Sequence, residues 1–219
     1  AVIYSHSHAD HYGGVRGVVE QSDVAAGKVA VIAPEHFVAE AASENVMAGS
    51  AMSRRAQYQF GAGLSPGVQG QMGSGIGMAV APGEITLIQP TDTITRSGET
   101  RVVDGVPLEF QIVSGSEAPS ELNVLIRPAS VFLSAEISTC TMHNILTPRG
   151  AKVRDAHAWA GFLDEAATRF APRADAVVSS HCWPTFGRDA GVAMLAGQRG
   201  KYRHLHDQTV RLMNRGETM

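Results

Sequence analysis

The stretch YSHSHADHYGG, Tyr4 to Gly14, sets His6, His8, Asp10 and His11 within six residues. Imidazole nitrogens and carboxylate oxygens are ligands for zinc and other divalent metals. In an extended stretch alternate side chains point the same way, so His6 and His8 can grip one metal together. A helix that starts directly afterwards turns Asp10 and His11 toward a second metal, about 3.5–4 Å from the first in two-metal sites. Gly13 and Gly14 let such a turn pass close by without a side-chain clash. Two metals need more than four ligands, and the further candidates are Glu117 in SGSEAP, Glu136 in LSAE and His181 in VVSSH. The other reading is a solvated polar loop with surface carboxylates. Four ligand types in six residues, between a buried strand and a helix, weigh against it.

Each candidate follows a predicted strand, so the elements around them matter. Apolar runs at 1–5, 28–33 and 174–180 read as buried strands. Residues 85–89, 94–97, 99–103, 107–113, 122–126 and 131–133 read as a strand-rich block, with Asp104-Gly105 as a hairpin turn. Helical spacing covers 11–21, 35–58, 154–170 and 187–212. Between them, 61–83 is rich in glycine without a period and is expected to be a loop. It is not expected to bind phosphate, since no strand leads into a G-x-G-x-x-G and no Gly-Lys-Ser/Thr follows. The order β-α-β-α, β meander, α-β-α suits two sheets faced by helices, an α/β (α+β) class.

Composition sets bounds on function. The 219 residues carry a formal net charge of −3, with 44% hydrophobic and 18% charged residues, which is globular and not disordered. No basic patch interleaved with aromatics points to nucleic acid. No apolar run approaches the roughly 20 residues of a membrane span, and no signal peptide opens the chain. Cys140 and Cys182 are expected to be free, small and structural, with a redox or metal role as the alternative. Arg54 and Arg55 are read as a solvated helix face that could also hold an anionic head group. His36, His157, His204 and His206 are read as surface or packing residues.

HSHADHYGG resembles the signature of the metallo-β-lactamase superfamily. SENVMAGSAMSRRAQYQFG, PTDTITRSGET, GSEAPSELN, CTMHNILTPRGAKVRDAHAW and SSHCWPTFG are similar to the alkylsulfatases of that superfamily. The resemblance implies a metallo-β-lactamase αββα sandwich and hydrolysis of alkyl sulfate esters, dodecyl sulfate among them, to an alcohol and inorganic sulfate through a metal-bound hydroxide. It implies two Zn2+ ions: one on His6, His8 and Glu117, the other on Asp10, His11 and His181, with Glu136 bridging. Most superfamily members carry His where Glu117 stands and Asp where Glu136 stands, so the two glutamates point to an alkylsulfatase. Asp10 is thereby placed at the catalytic centre, Arg149 is the matching sulfate-binding residue, and His143 or Asn144 would donate a proton or hydrogen bond to the departing sulfate. Full members are longer, so the catalytic domain, 1–195, is expected to be incomplete at the N-terminus, and 196–219 to begin a helical dimerisation domain of a homodimer. Exported forms in the family favour a periplasmic or secreted location. Another binuclear hydrolase of this fold, acting on a phosphoester, thioester or lactam, and a metal-binding fragment without activity are the alternatives.

Overall fold

The computed structural model describes residues 1–78 and 83–218. They form two compact units. The first comprises Ala1–Thr95, Ala118–Glu121 and Leu146–Val153. Its three-stranded sheet runs β1 (Val2–Ile3), β2 (Val31–Pro34), β3 (Asp92–Ile94), all parallel. A parallel sheet is covered on both faces, which is why central β2 is apolar throughout and fully buried. Helices α1 (Ala9–Tyr12), α2 (Gln21–Ala25), α3 (Phe37–Ala42) and α4 (Gly49–Gln59) accompany it, with a π-helical turn, Ser43–Met47, between α3 and α4. Its core gathers Tyr4, Tyr12, Val31, Phe37 and Ile88. Tyr4 stacks on Phe37 at 4.7 Å between ring centres and donates its hydroxyl to the carbonyl of Ile88 at 3.0 Å.

Three expectations change in this unit. The helix predicted over 11–21 is one turn, α1, followed by a 3-10 turn at Val15–Gly17. Gly13, Gly14 and Gly17 interrupt it, because glycine loses the most backbone freedom in a helix. A Cβ at Gly13 would stand 2.6 Å from the Ala9 carbonyl oxygen, whereas one at Gly14 would meet open space, so only the first glycine is sterically required. Residues 85–89 form no strand. Thr86 donates its backbone N–H to the Gly13 carbonyl at 2.8 Å, and Ile88 donates to the Tyr4 hydroxyl at 3.3 Å, so their polar groups are met without a ladder. The strand predicted at 94–97 lies at Asp92–Ile94. The glycine-rich segment has no helix or strand over 61–78, as expected, and residues 79–82 lie outside the described residues.

The second unit comprises Arg96–Glu117, Leu122–Ile145 and Arg154–Met219. Its six strands follow in chain order: β4 (Thr100–Val103), β5 (Val106–Ile112), β6 (Leu122–Ile126), β7 (Val131–Leu133), β8 (Ala176–Val178) and β9 (Thr185–Phe186). All pairs are antiparallel except β7 with β8. The β4–β5 turn has Asp104 and Gly105 at φ 50° and 76°, the two left-handed positions the Asp-Gly pair predicts. Helix α5 (Ala156–Glu165) is capped by the Asp155 carboxylate, which accepts from the backbone N–H of His157 at 2.9 Å and Ala158 at 3.0 Å. It continues as a π-helical turn, Ala166–Phe170, and α6 (Arg188–Asn214) runs unbroken through position 195. Trp159 of α5 stacks on Tyr202 of α6 at 4.2 Å inside a core that includes Leu125, Phe132, Leu163, Phe170 and Leu195. No helix among the described residues is long and apolar enough to cross a membrane.

Glu109 on β5 shows how this sheet carries a buried charge. Arg173 donates to its carboxylate at 2.8 and 3.1 Å and Arg127 at 2.5 and 3.2 Å. The hydrogen bonds from Arg173, ahead of those from Arg127, hold the carboxyl down at about 2. A depressed folded value stabilises the fold above the ordinary glutamate range and stops doing so as pH falls through about 2. Replacing Glu109 by Gln should cost roughly 1–2 kcal/mol at neutral pH, given that the guanidiniums are half exposed to solvent. In urea unfolding, that difference should narrow between about pH 4.5 and pH 2.

Candidate metal centre

In the first unit, His6 sits at an isolated antiparallel bridge to Glu121, and Ser7 donates its backbone N–H to the Ser120 carbonyl at 3.2 Å. These contacts extend the chain just past β1, so His6 and His8 face one way. Both imidazoles are buried, with ring centres 5.0 Å apart. The one-turn helix α1 then brings His11 to 4.0 Å from His6, and Asp10 Oδ2 lies 3.2 Å from His11 Nε2. All four candidate ligands named by the motif are thus gathered. The Ser5 hydroxyl meets His6 Nδ1 at 3.1 Å, the kind of contact that orients a ligating imidazole.

Arg149 belongs to this unit. Its backbone N–H donates to Gln59 Oε1 at 2.9 Å, and its guanidinium lies 3.6 Å from Glu44 Oε2. The same oxygen lies 3.6 Å from His8 Nε2. Both distances are long for hydrogen bonds, and the one to the Arg149 guanidinium is short enough for charge attraction. Glu44 is buried on the π-helical turn and was not singled out from the sequence. Its only signal was an acid amid a helical run of apolar residues. The π turn, a feature frequent at functional sites, was not legible. Burial raises the Tyr12 phenol pKa and the charge of Glu44 raises it further.

In the second unit Glu117 and Glu136 are both buried, and one imidazole serves both. His143 Nε2 lies 3.4 Å from Glu117 Oε1 and 3.2 Å from Glu136 Oε1, while His181 Nε2 lies 3.3 Å from Glu136 Oε2. Glu136 and His181 follow the neighbouring parallel strands β7 and β8, which deliver them at the same sheet edge. Ala135 and His181 have φ of 43° and 60°, left-handed values that are rare away from glycine and recur at functional sites. The two turns are tied together. Ser180 donates its backbone N–H to the Ala135 carbonyl at 2.8 Å, and the hydroxyls of Ser134, Ser138 and Ser179 form a buried triangle with sides of 2.7, 2.8 and 2.9 Å.

Arg154 is the second residue that sequence reasoning missed. Its buried guanidinium donates to the Glu117 carboxylate, to the Glu117 carbonyl at 2.5 Å, and to Asn144 Oδ1 and carbonyl at 2.5 and 2.9 Å. Asn144 itself is exposed. The 139–145 loop rests on α6, where Tyr202 donates to the His143 carbonyl at 3.2 Å and Gln198 to the Thr139 carbonyl at 2.5 Å. Both cysteines are free thiols, but Cys140 is exposed, not packed as expected, because it lies in this surface loop. Burial, and then Cys140 beside it, push the Cys182 thiol up. Arg54 and Arg55 are exposed on α4, as expected.

The donor chemistry fits a metal. Buried carboxylates are costly unless cations compensate them. Arg154 offers one positive charge to Glu117, and imidazoles accompany both glutamates. A set of His nitrogens and carboxylate oxygens without thiolates suits zinc and equally manganese or iron. A family model described as the metallo-β-lactamase superfamily matches residues 1–181. The chain belongs to the metallo-β-lactamase superfamily. That fold implies divalent-metal binding, and each unit offers His and carboxylate candidates for it.

Within the superfamily the resemblance to alkylsulfatases is borne out. The chain is 48% identical over 219 residues to a linear primary-alkylsulfatase of Pseudomonas sp., covering 100% of this chain and 32% of that protein. It is 46% identical over 217 residues to an alkyl/aryl-sulfatase of Saccharomyces cerevisiae, covering 99% of this chain and 34% of the relative. The solved structure of the stereoselective inverting sec-alkylsulfatase Pisa1 from Pseudomonas sp. matches with a TM-score of 0.94 at 46% identity, over 99% of this chain and 34% of that one. The chain therefore spans about a third of the length of the curated relatives it matches.

The serine triangle makes a separable prediction. Ser134→Ala should lower stability by about 1–2 kcal/mol in urea unfolding, because it takes a partner from each of two buried hydroxyls. Replacing all three serines by Ala should cost less than three times that, since no buried hydroxyl is left short of a partner.

Proposed function

We propose that the protein containing this chain is a two-zinc alkylsulfatase that cleaves alkyl sulfate esters to an alcohol and inorganic sulfate. The observation that carries this reading is the 46–48% identity with alkylsulfatases along the whole chain. His6, His8 and Glu117 would hold one ion, Asp10, His11 and His181 the other, and Glu136 would bridge them. The clustering of His6, His8, Asp10 and His11 in one unit, and of Glu117, Glu136 and His181 in the other, supports this assignment. Bound zinc supplies Lewis acidity toward the ester and toward water.

The chain's own residues supply the rest. Arg149 would take the sulfate oxygens on its planar fork, with Glu44 holding the guanidinium from behind. Asn144 would donate its amide N–H to a sulfate oxygen, because its carbonyl oxygen is already committed to Arg154. His143 would deliver a proton to the departing sulfate from Nε2, the nitrogen that the Glu117 and Glu136 carboxylates face. Residues 196–219, of which 196–214 lie in α6, would begin the dimerisation domain of a homodimer. Light scattering of the full-length protein should then return twice the chain mass.

Activity is tested on the full-length protein by sulfate release from dodecyl sulfate, compared with turnover of a phosphodiester and a β-lactam. Release from dodecyl sulfate should be selective, should stop with a chelator and should return with zinc. Arg149→Lys should raise KM by about 10–100-fold, the loss of charged hydrogen bonds from a bidentate fork. Turnover of the phosphodiester or lactam instead, or two bound zinc ions with no sulfate release from any alkyl sulfate, would sink the reading.

A further inference from the structure

The geometry points to Arg154 as a positioning residue that couples the metal ligand Glu117 to the substrate-facing residues His143 and Asn144. The substrate half of this inference rests on the proposed alkylsulfatase activity, and the metal half on the proposed assignment of Glu117 as a metal ligand. One guanidinium, 5% exposed, reaches two separate loops. Toward the first, Nη2 donates to the Glu117 carboxylate and Nε to the Glu117 carbonyl at 2.5 Å. Toward the second, Nη1 donates to Asn144 Oδ1 at 2.5 Å and its carbonyl at 2.9 Å, and stands 3.3 Å from His143 Nδ1. A carboxylate gripped together with its own carbonyl cannot swing, so Glu117 presents itself to a metal in one orientation.

The grip is itself anchored. Arg154 donates its backbone N–H to the Ile145 carbonyl at 3.1 Å, and Asp155 donates its own to the Gly115 carbonyl at 3.2 Å while capping α5. The guanidinium therefore projects from the rigid start of a helix whose Trp159 is locked against Tyr202. Lysine cannot replace it, because a single ammonium reaches one loop or the other but lacks the planar fork that meets both. Metal affinity and substrate handling should accordingly fail together when Arg154 changes, though Asn144 affects only the substrate and Glu117 acts first on the metal.

The test uses the full-length protein with Arg154→Lys, Asn144→Ala and the double variant, each checked for folding by circular dichroism. Zinc affinity from competition with a chromophoric chelator should weaken about 10–100-fold in R154K and stay unchanged in N144A. The kcat/KM for dodecyl sulfate should fall in each single variant, and the double variant should be no worse than R154K by more than about threefold, the mark of a shared interaction. Unchanged zinc affinity in R154K, or single effects that multiply in the double variant, would overturn the proposal. Should R154K not fold, Arg154→Ala with added guanidinium gives a second measurement. Restored zinc affinity and turnover support the coupling, and restored thermal stability alone rejects it. A wild-type protein inactive on every alkyl sulfate would remove the substrate reading, and the zinc titration would still decide the link between Arg154 and Glu117.

Discussion

A buried guanidinium facing a buried carboxylate is the constraint on which the second unit depends. Arg154 and Glu117 have side chains only 4% and 2% exposed. Removing two charges from water costs several kcal/mol for each ion, and the cost is met only when geometry is good and the remaining donors find acceptors. Asn144 and the Glu117 carbonyl provide those acceptors. The loop after β5, the 139–145 loop and the start of α5 are thereby held to one arrangement. Beneath them, Trp159 and Tyr202 form the apolar floor, and Tyr202 also fixes the His143 carbonyl. Packing and polar satisfaction act on the same few residues.

The first unit meets its charges differently. Its ligand types sit close along the chain, so local geometry alone brings them near: an extended run for His6 and His8, then one helical turn for Asp10 and His11. The larger demand falls on the neighbours. Glu44 balances the charge of Arg149 and stands beside His8, although it comes from a π-helical turn far away in sequence. In the second unit a candidate ligand faces a buried ion of opposite sign from elsewhere in the chain, whereas in the first the buried Glu44 carboxylate stands between Arg149 and His8.

Much of this was legible in the sequence, for identifiable reasons. Strands β6 and β7 fall where the apolar runs ended, and the Asp-Gly turn takes the left-handed pair it predicts. Chain-order logic also placed Glu136 and His181 after strands, and the parallel pairing of β7 with β8 puts them at one edge. Errors arose where a local pattern met a tertiary demand. The run at 85–89 has strand character, yet its backbone partners are Gly13 and the Tyr4 hydroxyl. The valines after His11 have helical spacing, yet three glycines break the helix, and Val18 ends exposed while Val15 is buried.

Element order and motif spacing by themselves determined the α/β class and the candidate ligands, because ligand chemistry is written in residue type and a short motif needs only local geometry to act; the superfamily came from the motif's resemblance to known families. Glu44 and Arg154 could not be read this way. A lone charged residue has the same sequence signature whether it is solvated or buried, since nothing local records its partner. Only the tertiary structure, by withdrawing water from both and placing a counter-charge within reach, set these two residues against the candidate site residues.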